Sequence, residues 1–157
     1  MSGGTGITVL GVGNPIMGDD GVGLELLAAL QARRPDARIE YVEGGTGGME
    51  LLPVVQEATR LLVLDAVAGS SAGAVQHLRG DQVPRMLSTK LSPHQVGLLD
   101  VFTAARLLGS EPEVVEVVGV TPQCVELQLG LTEVVAAAVP AAVEQAVAVL
   151  DGWLASA

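Results

Sequence analysis

Gly11-Val12-Gly13-Asn14-Pro15-Ile16-Met17-Gly18-Asp19-Asp20-Gly21-Val22-Gly23 follows a short apolar run, Ile7 to Leu10, and precedes a helical pattern, Leu24 to Arg34. The run before it, β-branched and aliphatic between glycines, reads as a buried first strand. Leu24, Leu27, Ala28 and Leu30 behind it recur at helical spacing, with Pro35 as the stop. A strand that turns through glycines and two aspartates into a helix sets acidic side chains at the carboxyl end of a sheet. Open α/β folds hold their chemistry there.

The glycines invite a nucleotide reading, and the residues argue against it. A dinucleotide loop needs a third glycine where this chain has Ile16, and no Lys-Ser or Lys-Thr follows as in a phosphate loop. Asp19 and Asp20 would also repel a pyrophosphate. One of the two suffices as a helix cap, and Asp19 is expected to hold that role. That leaves Asp20 as the functional candidate.

Outward from this stretch, Ile39 to Glu43 alternates as a second strand and stops at Gly44-Gly45-Thr46-Gly47-Gly48. Met49 to Glu57 is helical in pattern but holds Pro53, which predicts a kink or a short helix. Leu61-Leu62-Val63-Leu64 is a central strand by composition and delivers Asp65 at its end. Ala74 to Leu78 returns too soon for a parallel crossover and is expected as an antiparallel edge strand, with His77 at the surface. Gly80 to Leu91 has no period and reads as a loop or lid. Ser92-Pro93-His94 opens a helix with Leu98, Val101, Phe102, Ala105 and Leu108 as its buried stripe. Val114 to Val120 is a fifth strand, and a final helix runs from Thr132 to about Leu154, bent at Pro140. The order βαβαββαβα predicts one domain over 1–157, a three-layer αβα sandwich around a mostly parallel five-stranded sheet.

Composition narrows the classes. The chain has 157 residues, 49% of them hydrophobic, yet only Phe102, Tyr41 and Trp153 are aromatic, so the core is aliphatic. A net charge of −10, with eight scattered Lys and Arg, excludes nucleic acid as an expected partner. The single cysteine, Cys124, permits neither an internal disulfide nor a thiolate cluster. The most apolar run, Val134 to Val143, is too short to span a bilayer of about 30 Å. The expectation is a cytoplasmic protein with no membrane span.

Three residues are the candidates for chemistry. Asp65 ends a buried aliphatic strand, where an unpaired carboxylate is costly. His94 stands in the first turn of a helix, where the macrodipole disfavours its protonated form. If that helix crosses the sheet's carboxyl edge, Asp20, Asp65 and His94 converge. Carboxylates about 4 Å apart repel by roughly 4 kcal/mol at a partly screened dielectric. A divalent cation, a shared proton, or an ion pair from Arg85 or Lys90 would each relieve that repulsion.

These pieces, in this order, resemble the nickel–iron hydrogenase maturation endopeptidases. The matching residues are Gly11 to Asn14 with Asp19 to Gly23, and Gly44 to Leu52. Leu64-Asp65-Ala66, Ser92 to Asp100, Val118-Gly119-Val120 and Leu129 to Thr132 complete the set. The resemblance implies an endopeptidase that trims a carboxyl-terminal peptide from the precursor of a hydrogenase large subunit. It implies Asp20, Asp65 and His94 as the metal-binding and catalytic trio, engaging nickel carried by the precursor. Another divalent metal such as zinc or cadmium would stand in for it in vitro. Glu43, Gly44, Gly45 and Thr46 become substrate-facing residues, with Glu43 a departure from the Asp that the family carries before Gly-Gly-Thr. Two other readings remain open on the residues alone: a self-sufficient zinc metallopeptidase or amidohydrolase, and a non-catalytic nickel- or precursor-binding module.

Overall fold

The computed structural model describes residues 6–80, 82–84 and 93–156, with only the backbone described at 93–96. The strands are β1 (Ile7–Val12), β2 (Ile39–Gly45), β3 (Arg60–Ala66), β4 (Val75–Arg79) and β5 (Val114–Val120). The helices are α1 (Val22–Arg33), α2 (Leu52–Glu57), α3 (Pro93–Leu107) and α4 (Glu133–Ala155). They form one five-stranded sheet in the order β2-β1-β3-β5-β4, parallel except where β4 runs antiparallel to β5 at the edge. The expected αβα sandwich and its antiparallel edge strand are both present.

Alternation along the buried strands feeds two cores. Ile7, Val9, Leu62, Leu64, Val118 and Val120 face α1 and α4, packing with Leu26, Leu30, Ala146, Leu150 and Trp153. Leu10, Val12, Leu61, Val63 and Val117 face α2 and α3, packing with Val55, Leu98, Val101 and Ala105. Strands apolar on both faces are what a parallel sheet covered on both sides requires.

The strand order has a consequence for function. From β1 the chain moves outward to β2, then returns past β1 to place β3 on its other side. The carboxyl ends of β1 and β3 therefore flank the point where the winding direction reverses, and a crevice opens there.

Several details differ from the sequence reading. Of the kink or short helix expected at Pro53, the structure has the short helix: a 3₁₀ turn, Met49–Leu51, precedes the six-residue α2, and the proline falls in its first turn, where its missing N–H costs nothing. Leu108 is not part of the buried stripe of α3, because the helix ends at Leu107 and Leu108 is exposed. His77 is half-buried rather than a surface residue: Nε2 lies 2.5 Å from Glu116 Oε1 on β5, and Nδ1 lies 3.1 Å from Gln145 Nε2 on α4. The final helix, at 23 residues, is long and apolar enough to cross a membrane by length and composition, more than the ten-residue run suggested. Here its apolar side, from Val135 to Trp153, packs into the first core. Most of the 80–91 loop, with Arg85 and Lys90, and the Ser92 cap lie outside the described residues.

Candidate active site

Asp20 lies in a 3₁₀ turn, Gly18–Gly21, between β1 and α1, and is 1% exposed. The backbone N–H of Asn14 donates to its Oδ2 at 3.0 Å, closing the loop on itself. Asp65 is fully buried near the end of β3, and the N–H of Ala66 donates to its Oδ1 at 2.8 Å. It shares the alternation of Leu61 and Val63, the face covered by α2 and α3. Asp65 thus stands at the end of β3, and Asp20 in the turn that carries β1 into α1.

Glycines bring these backbones together. A Cβ on Gly23 would lie 2.1 Å from Val12 O, 2.4 Å from Leu64 O and 3.0 Å from the Asp65 Cα. The first turn of α1 is thereby seated directly on the ends of β1 and β3. Gly119 pairs with Asp65 in the ladder, and a Cβ there would meet Asp65 O at 2.1 Å. At Gly13, whose φ is +143°, a Cβ would lie 2.1 Å from Asp20 O, so only glycine lets the loop pass there. The glycines of the opening stretch serve close packing around two acids.

The role expected for Asp19 is corrected. No side chain caps the 3₁₀ turn or α1. Asp19 is instead fully buried and turned toward the loop after β5. Its Oδ2 accepts from Gln123 N at 2.9 Å, Cys124 N at 3.0 Å and Thr132 Oγ1 at 2.8 Å, and its Oδ1 from Thr132 N at 2.7 Å. Burial pushes this carboxyl up, and the bonds from Thr132, Cys124 and Gln123 outweigh it, holding the group below the usual carboxylate range. Thr132 starts α4, so the positive end of that helix adds to the preference for the anion. An acid next to Asp20 that ties down a distant loop was not legible from the chain. Its partners lie more than a hundred residues away.

Glu43 and Thr46 are exposed, and Gly44 and Gly45 half-buried, at the end of β2 beside β1. Gly45 O accepts from Gly13 N at 2.8 Å, which fixes this loop to the one bearing Asp20. The Gly47 N–H is taken by Gly44 O at 2.9 Å, so that amide is not available to an oxyanion. His94 is the second residue of α3, so its backbone begins the helix covering the face on which Asp65 sits. Its side chain lies outside the described residues. Cys124 is half-buried and enters the site region only through its backbone.

The donor set suits a divalent cation. Two buried carboxyl groups, one at the end of β3 and one in the turn after β1, offer oxygen ligands of the kind divalent cations take.

Comparison with known proteins identifies the family. Residues 24–149 match the family model described as hydrogenase maturation protease. The hydrogenase 2 maturation protease of Escherichia coli K12 is 40% identical over 148 residues, covering 92% of this chain and 90% of the relative. The hydrogenase expression/formation protein HupD of Rhizobium leguminosarum bv. viciae is 36% identical, covering 94% and 75%. The solved structure of the hydrogenase maturating endopeptidase HybD from E. coli superposes with a TM-score of 0.88 at 38% identity, covering 93% of this chain and 92% of that one.

Proposed function

The chain belongs to the hydrogenase maturation protease family, peptidases among the hydrolases, and from that premise we propose a specific reaction for it. It removes a carboxyl-terminal peptide from the precursor of a [NiFe] hydrogenase large subunit, in the cytoplasm, after nickel has been loaded. The observation that supports this reading is the burial of two carboxyl groups close to the switch point of the sheet, Asp65 at the end of β3 and Asp20 in the turn after β1. His94, at the start of α3, is the third member of the proposed trio.

Nickel enters as part of the substrate. Asp20 and Asp65 supply the negative charge that holds a cation-bearing precursor at the crevice. The bonds they accept from Asn14 N and Ala66 N orient each carboxyl group. A divalent metal at a scissile bond polarises the carbonyl or brings the pKa of a water toward neutrality. In this reading a carboxylate such as Asp20 accepts a proton from the attacking water. Glu43, exposed beside Gly44, Gly45 and Thr46, reaches the precursor from the β2 side, one methylene longer than the family's usual aspartate. A protease whose site is completed by its substrate's metal leaves unloaded precursor uncut.

The test mixes the purified protein with nickel-loaded and nickel-free precursor and follows the mass of the large subunit. The expected result is loss of a carboxyl-terminal peptide from the loaded form alone. An intact loaded precursor, or equal cutting of both forms, overturns the proposal. Stoichiometric zinc in protein purified without added metal would favour a resident-metal peptidase instead.

A further inference from the structure

Most large apolar side chains of this protein are inside it, yet Leu127 and Leu129 are 79% and 81% exposed and Ile16 is 49% exposed. The three are neighbours. Met17 and Gln128 form an isolated parallel bridge, in which Gln128 N donates to Ile16 O at 2.9 Å and Gly18 N donates to Gln128 O at 2.8 Å. Leu127 and Leu129 flank Gln128, and Ile16 stands across the bridge beside them. The same turn leads within two residues of Gly18 to Asp20.

The loop that carries the leucines is held firmly. Asp19 accepts four hydrogen bonds from Gln123, Cys124 and Thr132, at both ends of the loop, and Asp19 N donates to Cys124 O at 2.9 Å. A buried carboxylate with four donors around it fixes the loop's course. The exposure of the leucines is therefore a feature of the folded loop. Among residues 121–130 the single charged side chain is Glu126, on a protein of net charge −10. An acidic segment would be repelled here and an apolar one accepted.

We propose that Ile16, Leu127 and Leu129 form a docking shelf for the precursor. They bind apolar side chains of the segment adjoining the scissile bond and guide that segment to Asp20. This rests on the function proposed above and names the surface through which it selects its substrate. Two further exposed leucines, Leu107 and Leu108, lie at the far end of α3, toward the amino edge of the sheet, and serve as a control.

The experiment measures kcat and KM for loaded precursor with wild-type protein, a Leu127→Ser/Leu129→Ser double variant and a Leu107→Ser/Leu108→Ser double variant. A Leu129→Gln single variant repeats the reading with one side chain changed. Melting temperature and sedimentation are recorded for each. The expected outcome is a fall in kcat/KM of about tenfold or more, carried by KM, for the Leu127/Leu129 variant and a smaller one for Leu129→Gln. The Leu107/Leu108 variant should match wild type. If the wild type cuts loaded precursor and the Leu127/Leu129 variant does so with unchanged KM, the shelf is refuted while the protease reading stands. If the wild type does not cut, both fall together. If sedimentation shows a wild-type dimer that the Leu127/Leu129 variant dissolves, the surface joins two copies of this chain, and the proposal is likewise overturned.

Discussion

At the scale of single residues, two neighbouring aspartates have separate tasks that their sequence position conceals. Asp20 accepts from Asn14 N within its own loop, and Asp19 turns instead into the loop after β5. All four partners of Asp19 donate, so only a carboxylate satisfies them. In Asp19→Asn an amide N–H must face a backbone N–H or leave one unpaired. The expected loss is about 1–3 kcal/mol, read as a lower urea midpoint. The pH dependence has a definite sign. Folding lowers the pKa of Asp19, so its contribution is complete above the unfolded value of about 4 and fades as pH falls through the folded one. The gap in stability between wild type and Asp19→Asn should therefore be widest near neutrality and narrow in acid. Asp65→Asn, close to isosteric, should cut tail removal by at least about a hundredfold in the mass assay, with the melting curve showing a folded protein. Processing at the wild-type rate would remove Asp65 from the site.

At the scale of elements, the site depends on how closely α1 approaches the strand ends. Gly23 lets it do so: a Cβ there meets two backbone oxygens, Val12 O and Leu64 O, which no side-chain rotation relieves. Gly23→Ala should cost about 3 kcal/mol or more, or prevent folding, by pushing α1 off β1 and β3. Gly152, in the last turns of α4 with nothing within 4 Å of its Cβ position, is the contrast. Gly152→Ala should be neutral or stabilising by up to about 1 kcal/mol, and thermal denaturation compares the two. Element identities were readable in the chain because strand and helix periods differ and the strands are apolar on both faces. The span Val114–Val120 and the edge position of β4 were both foreseen. Asp65 stands out in the chain because it closes an apolar run that must be a strand, and Asp20 because it lies in the glycine-rich turn between a strand and a helix. Asp19's clasp, the half-burial of His77 and the leucine-bearing loop were not. Each depends on a contact between residues far apart in the chain, and no local period records such a contact.

At the scale of the whole molecule, the sheet is covered on both faces by cores that share its strands. Leu26 belongs to the core under α1 and α4, and Leu98 to the one under α2 and α3, each 1% exposed. Trp153, the single tryptophan, sits in the first of these. Because β1, β3 and β5 contribute residues to both cores, loss of either removes half the burial of those strands. The two layers are thus expected to unfold as one cooperative unit, as single domains of this size commonly do. Leu98→Ala should lower stability by about 2–5 kcal/mol. It should move the tryptophan fluorescence transition, which reports the opposite layer, by the same amount as the far-ultraviolet circular dichroism transition. Leu26→Ala should shift both probes together in the same way. Separate midpoints for the two probes in Leu98→Ala would mean that the α2–α3 layer opens alone. In that case the face bearing Asp65 and the start of α3 opens without unfolding the layer that holds Trp153.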